Sequence, residues 1–325
     1  MNVLSLFDGM SCGQIALNRL GIKYDNYFAS EIDKYAIQVT QKNYPNTKQI
    51  GDVTQVKGKD LPKIDLLLGG SPCQGFSFAG KRLNFDDPRS ALFFEFVRLL
   101  KETNPKYFLL ENVRMKQKYQ DVISEHLGVK PIKINSALVS AQNRVRFYWT
   151  NIPGIEQPED KGIILKDILE SGVGDRPCEL KEFNQDSTCH HITTATDIKG
   201  NESIKRVYAD SGKSPTLTTC GGGHREPKVI VGAYRGRYNE DGSTSQKLEL
   251  RKDEKTNTIT TVQKDNVLTQ DEVYWRKLTP LECERLQTIP DNYTNHVSNT
   301  QRYKMLGNGW TVDVIAHIFK NIPIT

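Results

Sequence analysis

Three kinds of side chain in this sequence suit an attack on an electron-poor ring. Cys73 stands one residue after a proline in "LLLGGSPCQGFSF", at the mouth of a short apolar run. A buried free thiol is a small inert hydrophobe, whereas an ionised one is a strong nucleophile. Glu111 closes a second apolar run, "YFLLENV". A carboxyl group at a buried strand end can hold its proton near neutral pH and donate it. In "QNRVRF" two arginines stand two residues apart. On a strand, that spacing puts Arg144 and Arg146 on one face, a pair suited to a carbonyl oxygen or a phosphate. Sulfur adding to a ring carbon while an acid protonates a ring nitrogen would be two halves of one step.

Such groups work together only if a scaffold brings them to one place. Through the first half of the chain, short apolar runs alternate with helical patterns. "NVLSLF", "YFASEID", "IDLLLGG", "YFLLENV" and "RVRFYWTNI" read as strands, and "ALFFEFVRLLKETN" as a strongly amphipathic helix. This alternation predicts an α/β domain with a largely parallel sheet, whose ligands bind outside the carboxyl ends of the strands. Asp8 and Gly9, Glu31 and Asp33, Asp52, Ser71 to Gln74, and Glu111 with Asn112 all fall at such ends. They predict one shared site.

A glycine turn after the first strand, with an acid ending the second, is the layout that binds an adenosine-containing cofactor. Here the turn is "FDGMSCG" and the acid is Glu31, 22 residues beyond Gly9. The turn is too poor in glycine to cradle a pyrophosphate. S-adenosylmethionine therefore fits better than a nicotinamide dinucleotide. Asp52 is expected to accept from the adenine amino group, and Ile32 and Val53 to sandwich the ring.

Beyond Asn151 the texture changes. From about 175 to 271 the chain is rich in Thr, Gly, Lys and Asp, which predicts a smaller, irregular, β-rich domain. Within it "SPTLTT" (214–219) is echoed by "TNTITT" (256–261), which reads as two strands of one small sheet or as two similar loops facing one partner. "LTPLECERLQTIP" and "MLGNGWTVDVIAHIFKNI" restore helical patterns suited to completing the first domain.

The 325 residues are 37% hydrophobic and 26% charged, as a globular domain requires. No run approaches the roughly 18 apolar residues that cross a membrane. No basic leader precedes the first apolar residues, so neither a signal peptide nor a membrane partner is expected. Cysteines at 12, 73, 178, 189, 220 and 283 are spread too widely for a disulfide scaffold, which predicts reduced thiols and a cytoplasmic location. Cys178, Cys189, His190, His191, Cys220 and His224 match no common paired-ligand spacing, so no metal is expected. The net charge of +5 is uneven. Residues 1–150 hold 21 Lys/Arg against 14 Asp/Glu, and 199–237 hold 8 against 3, a distribution that suits a polyanion.

Together these segments carry a resemblance. "FDGMSCG", "SEID", "GDV", "GGSPCQGFS", "LLENV", "QNRVRF", "RKLTPLECERLQTIPDNYT" and "GNGWTVDVI" stand in the order and approximate spacing of the DNA cytosine-5 methyltransferase family. The resemblance implies a Rossmann-like S-adenosylmethionine-dependent methyltransferase sheet, formed by residues 1–172 plus 303–325. Residues 173–302 would form the target-recognition domain and hinge. It further implies that Cys73 attacks C6 of a cytosine flipped out of double-stranded DNA while Glu111 contacts N3 and the exocyclic amine. Arg144 would hold the cytosine carbonyl and Arg146 would orient the site. Phe7, Asp8, Gly9, Glu31, Ile32, Asp52, Pro72, Leu92 and Asn308 would hold S-adenosylmethionine, with Trp310 against it.

A loop over 75–90 would close on DNA, with Gly75 and Gly80 as hinges and Ser77, Lys81, Arg82 and Arg89 facing the duplex. Arg225, Arg235 and Arg237 would add contacts from the recognition segment, and a monomer is expected. Two segments depart from the bacterial pattern. "FDGMSCG" has fewer glycines, and "GNGWTV" stands where a Ser-Val is common; both are closer to the animal de novo branch. An RNA cytosine-5 methyltransferase is the alternative within the same fold. The added recognition segment favours a duplex reader.

Overall fold

The computed structural model describes residues 1–71, 91–170, 176–178, 188–195, 197–221, 223–231, 234–238, 244–248 and 273–323. Pro72, Cys73, Ser77, Lys81, Arg82 and Arg89, and the second Thr-rich stretch at 256–261, lie outside the described residues.

The strands are β1 (Asn2–Leu6), β2 (Asn26–Ser30), β3 (Lys48–Gln49), β4 (Leu66–Gly69), β5 (Tyr107–Val113), β6 (Ile132–Asn135) and β7 (Val145–Thr150). They form one sheet in the order β3-β2-β1-β4-β5-β7-β6. Pairing from β3 to β5 is parallel, and β7 runs antiparallel between β5 and β6. The order reverses at β1 and β4, the switch point where open α/β sheets bind ligands.

Near-continuous apolar strands predict a sheet covered on both faces, and alternation along them sorts the residues. Val3, Leu66, Leu68 and Leu109 pack in one cluster, with Ile15 and Leu17 of helix α1 (Cys12–Arg19). Leu4, Leu6, Leu67 and Leu110 pack in a second, on the other face. The helices between are α2 (Lys34–Asn43), α3 (Ala91–Thr103) and α4 (Gln117–Leu127). Phe93, Phe96 and Val97 recur at helical spacing along α3 and bury their side chains in the second cluster.

The tail carries α5 (Pro280–Leu286), α6 (Asn299–Asn308) and α7 (Val312–Phe319). The Thr-Pro helix start of α5 is a full capping box: Thr279 Oγ1 accepts from Glu282 N, and the Glu282 carboxylate accepts from Thr279 N. Leu278, Cys283, Leu286, Ile289 and Tyr293 share the cluster that contains Val3 and Leu66.

Between these parts lie β8 (Arg176–Cys178), β9 (His191–Thr194), β10 (Arg206–Tyr208), β11 (Lys228–Val231), β12 (Tyr234–Tyr238), β13 (Thr244–Leu248) and β14 (Val273–Lys277). They form a small sheet ordered β8-β14-β11-β10-β9 and a separate pair β12-β13. Ile192, Ile198, Val207, Ile230 and Trp275 build a core of their own there.

The first Thr-rich stretch is not a strand. Among the described residues its only ladder contact is a bridge from Ser214 to Gln142. Among the described residues, Ser214 and Leu217 pair with Ala141, Gln142 and Asn143 of the large domain.

Candidate active site

Beside the switch point, residues 7–11 turn sharply, with φ of 56° at Phe7, 59° at Gly9 and 67° at Ser11. Two of these are not glycine, and such strain is held in place only by surrounding contacts. Asp8 N donates to Ser30 O at 3.2 Å, and Gly9 N donates to Glu31 Oε2 at 2.7 Å. Glu31 Oε1 accepts from the N–H groups of Ile32 and Asp33, each at 2.8 Å. A carboxylate has roughly four acceptor sites, so three backbone donors fix Glu31 and leave it capacity for a ligand. Asp8 accepts from the Tyr27 hydroxyl at 2.9 Å, while its Oδ2 is buried without a partner. Burial raises its pKa to about 6, against hydrogen bonds from Ser5, Ser11 and Tyr27 that lower it.

Beside Glu31, Ile32 is 75% exposed, the one large hydrophobic so exposed among the described residues. An exposed apolar side chain next to a fixed carboxylate is what a purine ring and its ribose hydroxyls need. Val53, the other expected wall of that sandwich, is 5% exposed and packs in the second core cluster with Phe96 and Leu67. Asp52 is exposed and accepts from Thr54 N at 2.9 Å, an ordinary cap with its second oxygen available. Leu92 is partly buried against the second cluster.

Trp310 lies across the end of β4. A Cβ added at Gly70 would fall 2.9 Å from its Nε1, so only glycine lets the indole sit flat there. Asn308, at the end of α6, is exposed.

Glu111 and Asn112 project from the carboxyl end of β5. Asn112 Nδ2 donates to Ser71 Oγ at 3.3 Å, tying that strand end to the residue two before Cys73. In the β5–β7 ladder Glu111 opposes Tyr148 and Val113 opposes Arg146. Period-two alternation therefore puts Glu111, Arg146 and Tyr148 on one face. Glu111 is 8% exposed, and Arg146 Nε lies 3.0 Å from its Oε1. Burial and the Glu111 charge push the Tyr148 hydroxyl above its usual range.

Arg144 does something other than expected. Its Nη1 donates to Leu217 O at 3.1 Å, and Nη2 donates to Gly307 O and Gly309 O at 3.3 and 3.0 Å. The side chain is 3% exposed, and burial lowers its pKa to about 10, with Arg146 adding to the effect. Arg144 is thus engaged with backbone carbonyls, and Arg146 is the guanidinium beside Glu111. Sequence gave no signal for this, because an antiparallel neighbour of β5 decides which arginine faces the acid.

Cys12 opens α1 directly after the cofactor turn. Burial raises its thiol pKa to about 12, and Asp8, Arg144 and Glu111 are close enough to perturb it. Tyr27 and Tyr148 went unnoticed in the sequence, since each looks like ordinary core until the strand ends are brought together.

The basic stretch 199–237 is thinner than its composition suggests. Lys228 is 2% exposed, with Nζ donating to Ile204 O, His224 O and Glu226 O. Lys213 donates likewise to Ala137 O, Ser140 O and Ile163 O. Arg225 is exposed. Arg235 and Arg237 lie on β12, opposite Lys247 and Ser245 of β13.

Comparison with known proteins agrees with this geometry. The chain is 31% identical to Type II methyltransferase M1.ScrFI of Lactococcus lactis subsp. cremoris, over 96% of this chain and 75% of that one. It is 28% identical to Type II methyltransferase M.HhaI of Haemophilus parahaemolyticus, over 99% and 94%. It is 27% identical to the Orphan methyltransferase M.Rho11sI of Bacillus phage rho11s, over 99% and 97%. Among solved structures, the Entamoeba histolytica methyltransferase EhMeth superposes with a TM-score of 0.67 at 16% identity, covering 100% of this chain and 99% of that one. At that identity the likeness speaks for the fold. The family model for C-5 cytosine-specific DNA methylase matches residues 1–323. With a Rossmann-like sheet and an acid–arginine pair at its switch-point end, the chain belongs to the C-5 cytosine-specific DNA methylase family.

Proposed function

We propose that this protein transfers a methyl group from S-adenosylmethionine to C5 of a cytosine extruded from double-stranded DNA, through a covalent adduct at Cys73. The Glu111–Arg146 pair at the β5 end carries the reading, because an acid held beside a guanidinium matches N3, the exocyclic amine and the carbonyl of one cytosine face. Ser71, tied to Asn112, brings the chain to that face two residues before Cys73.

The steps follow from these side chains. The Cys73 sulfur adds to C6 while Glu111 supports a proton at N3, which makes C5 electron-rich. Arg146 holds the ring carbonyl and keeps Glu111 in place. Bound S-adenosylmethionine supplies the methyl group, activated by its sulfonium. The C5 proton then passes to water or a nearby base, and the C6–S bond breaks to return the Cys73 thiolate. Residues 173–302 would present the duplex, with 1–172 and 303–325 as the catalytic body. Arg225, Arg235 and Arg237 on the first, and Ser77, Lys81, Arg82 and Arg89 before α3, are the proposed duplex contacts. The match of the C-5 cytosine-specific DNA methylase model to residues 1–323 supports DNA as the substrate.

Labelled S-adenosylmethionine offered with duplex DNA, with tRNA, or with neither tests the reading. Label is expected in duplex DNA at cytosine C5. Label in tRNA alone would replace the substrate, and none in either would remove the activity.

Glu31, Ile32 and the 7–11 turn would hold the cofactor's adenosine half, with Trp310 against the cofactor. Glu31→Ala removes a charged acceptor, a loss of roughly 1.5–3 kcal/mol. Calorimetry with S-adenosylhomocysteine is expected to give an affinity weakened about tenfold to a hundredfold. An unchanged affinity would take Glu31 out of the site.

A further inference from the structure

We propose that Arg144 is a positioning residue, a clamp that joins the 212–219 strap and the 307–309 turn to the root of β7 and so sets the Glu111–Arg146 pair. The inference rests on the methyltransferase reading above and assigns Arg144 no contact with the target base.

The strap is pinned to the large domain along its length. Lys213 Nζ gathers three carbonyls at Ala137, Ser140 and Ile163. Ser214 N donates to Ala141 O and Asn143 N donates to Ser214 O, both at 2.8 Å. Thr216 Oγ1 donates to Asn143 O at 2.7 Å, and Leu217 N to Gln142 Oε1 at 3.4 Å. Leu217 O then receives the Arg144 guanidinium. The strap also seats directly on α6: a Cβ added at Gly307 would lie 2.1 Å from Thr218 O.

Arg144 thus bonds to three carbonyls from two segments distant in sequence. On its own side it is fixed by Arg144 N donating to Asn135 Oδ1 and by Ser136 N donating to Arg144 O, both at 3.0 Å. Two residues on, Arg146 is paired with Ile134 and Val113 and faces Glu111. A planar fork with several fixed donors can hold carbonyls from two segments at once, which an ammonium, a single point charge, cannot match in direction. Three of the five guanidinium N–H groups of Arg144 are committed to backbone carbonyls, and losing any of them would leave a backbone acceptor unsatisfied in a buried site. The device therefore links the recognition segment to the acid without touching substrate.

Two substitutions cut the link at different points. Arg144→Lys keeps the charge and loses the fork. Gly307→Ala drives a methyl group into the strap, away from the reacting atoms. Each is expected to lower kcat about tenfold to a hundredfold, with KM for duplex DNA and affinity for S-adenosylhomocysteine within about twofold of wild type. The double variant is expected to be no slower than the slower single, because both break one connection. Losses that multiply in the double variant would overturn the clamp. So would a raised KM for DNA at unchanged kcat, which is the mark of a direct substrate contact. If Arg144→Lys fails to fold, Gly307→Ala decides alone: kcat within twofold of wild type refutes the proposal. Wild-type protein that transfers no methyl group would instead refute the methyltransferase reading itself.

Discussion

Glu111→Gln is expected to lower kcat for methyl transfer by about 10²–10⁴-fold, the usual worth of a positioned general acid. Glutamine keeps the size and the hydrogen-bonding reach of the side chain, so the 8% exposed site at the end of β5 stays filled. It cannot lend a proton to a ring nitrogen, nor can it balance the Arg146 guanidinium 3.0 Å away. Binding of S-adenosylhomocysteine should change little, because Glu31 and Ile32 stand at the end of a different strand. Steady-state transfer to duplex DNA, beside calorimetry with S-adenosylhomocysteine, separates the two effects. A variant within about threefold of wild-type kcat would leave Glu111 a structural partner of Arg146 and nothing more.

The parts of the site visible in the sequence are those that a single strand or turn determines. Apolar runs marked β1, β2, β4 and β5, and each ended in the polar residue that the sheet brings to the switch point: Asp8, Glu31, Ser71 and Glu111. The helix in "LTPLECERLQTIP" could be seen because its apolar spacing is local.

What could not be seen depends on contacts between distant segments. Arg144 and Arg146 look equivalent in "QNRVRF". Only the antiparallel β5–β7 register and the carbonyls of Leu217, Gly307 and Gly309 tell them apart. Val53 stands beside Asp52 but turns into the core under α3, where Arg98 donates to its carbonyl. Charge counting misled for a similar reason. Lys213 and Lys228 each spend their ammonium donors on three backbone carbonyls. "SPTLTT" resembled a strand in composition, yet its donors and acceptors are taken by Ala141, Gln142 and Asn143.

The central claim is that Cys73 forms a bond to C6, and Cys73→Ser is expected to abolish transfer, since a hydroxyl is far less ionised than a thiol near neutral pH. The reaction can also be stopped at the adduct. After methylation C5 must lose a proton before the sulfur can leave, and fluorine at C5 cannot depart as a cation. Duplex DNA carrying 5-fluorocytosine at a methylated site should therefore give, only when S-adenosylmethionine is present, a protein–DNA complex that survives denaturing electrophoresis. Cys73→Ser should give none. Cys283→Ser should give as much as wild type, since that thiol is fully buried on α5 and burial holds it well above the usual thiol range. A complex that persists in Cys73→Ser, or that never forms with wild-type protein active on ordinary cytosine, would contradict the mechanism.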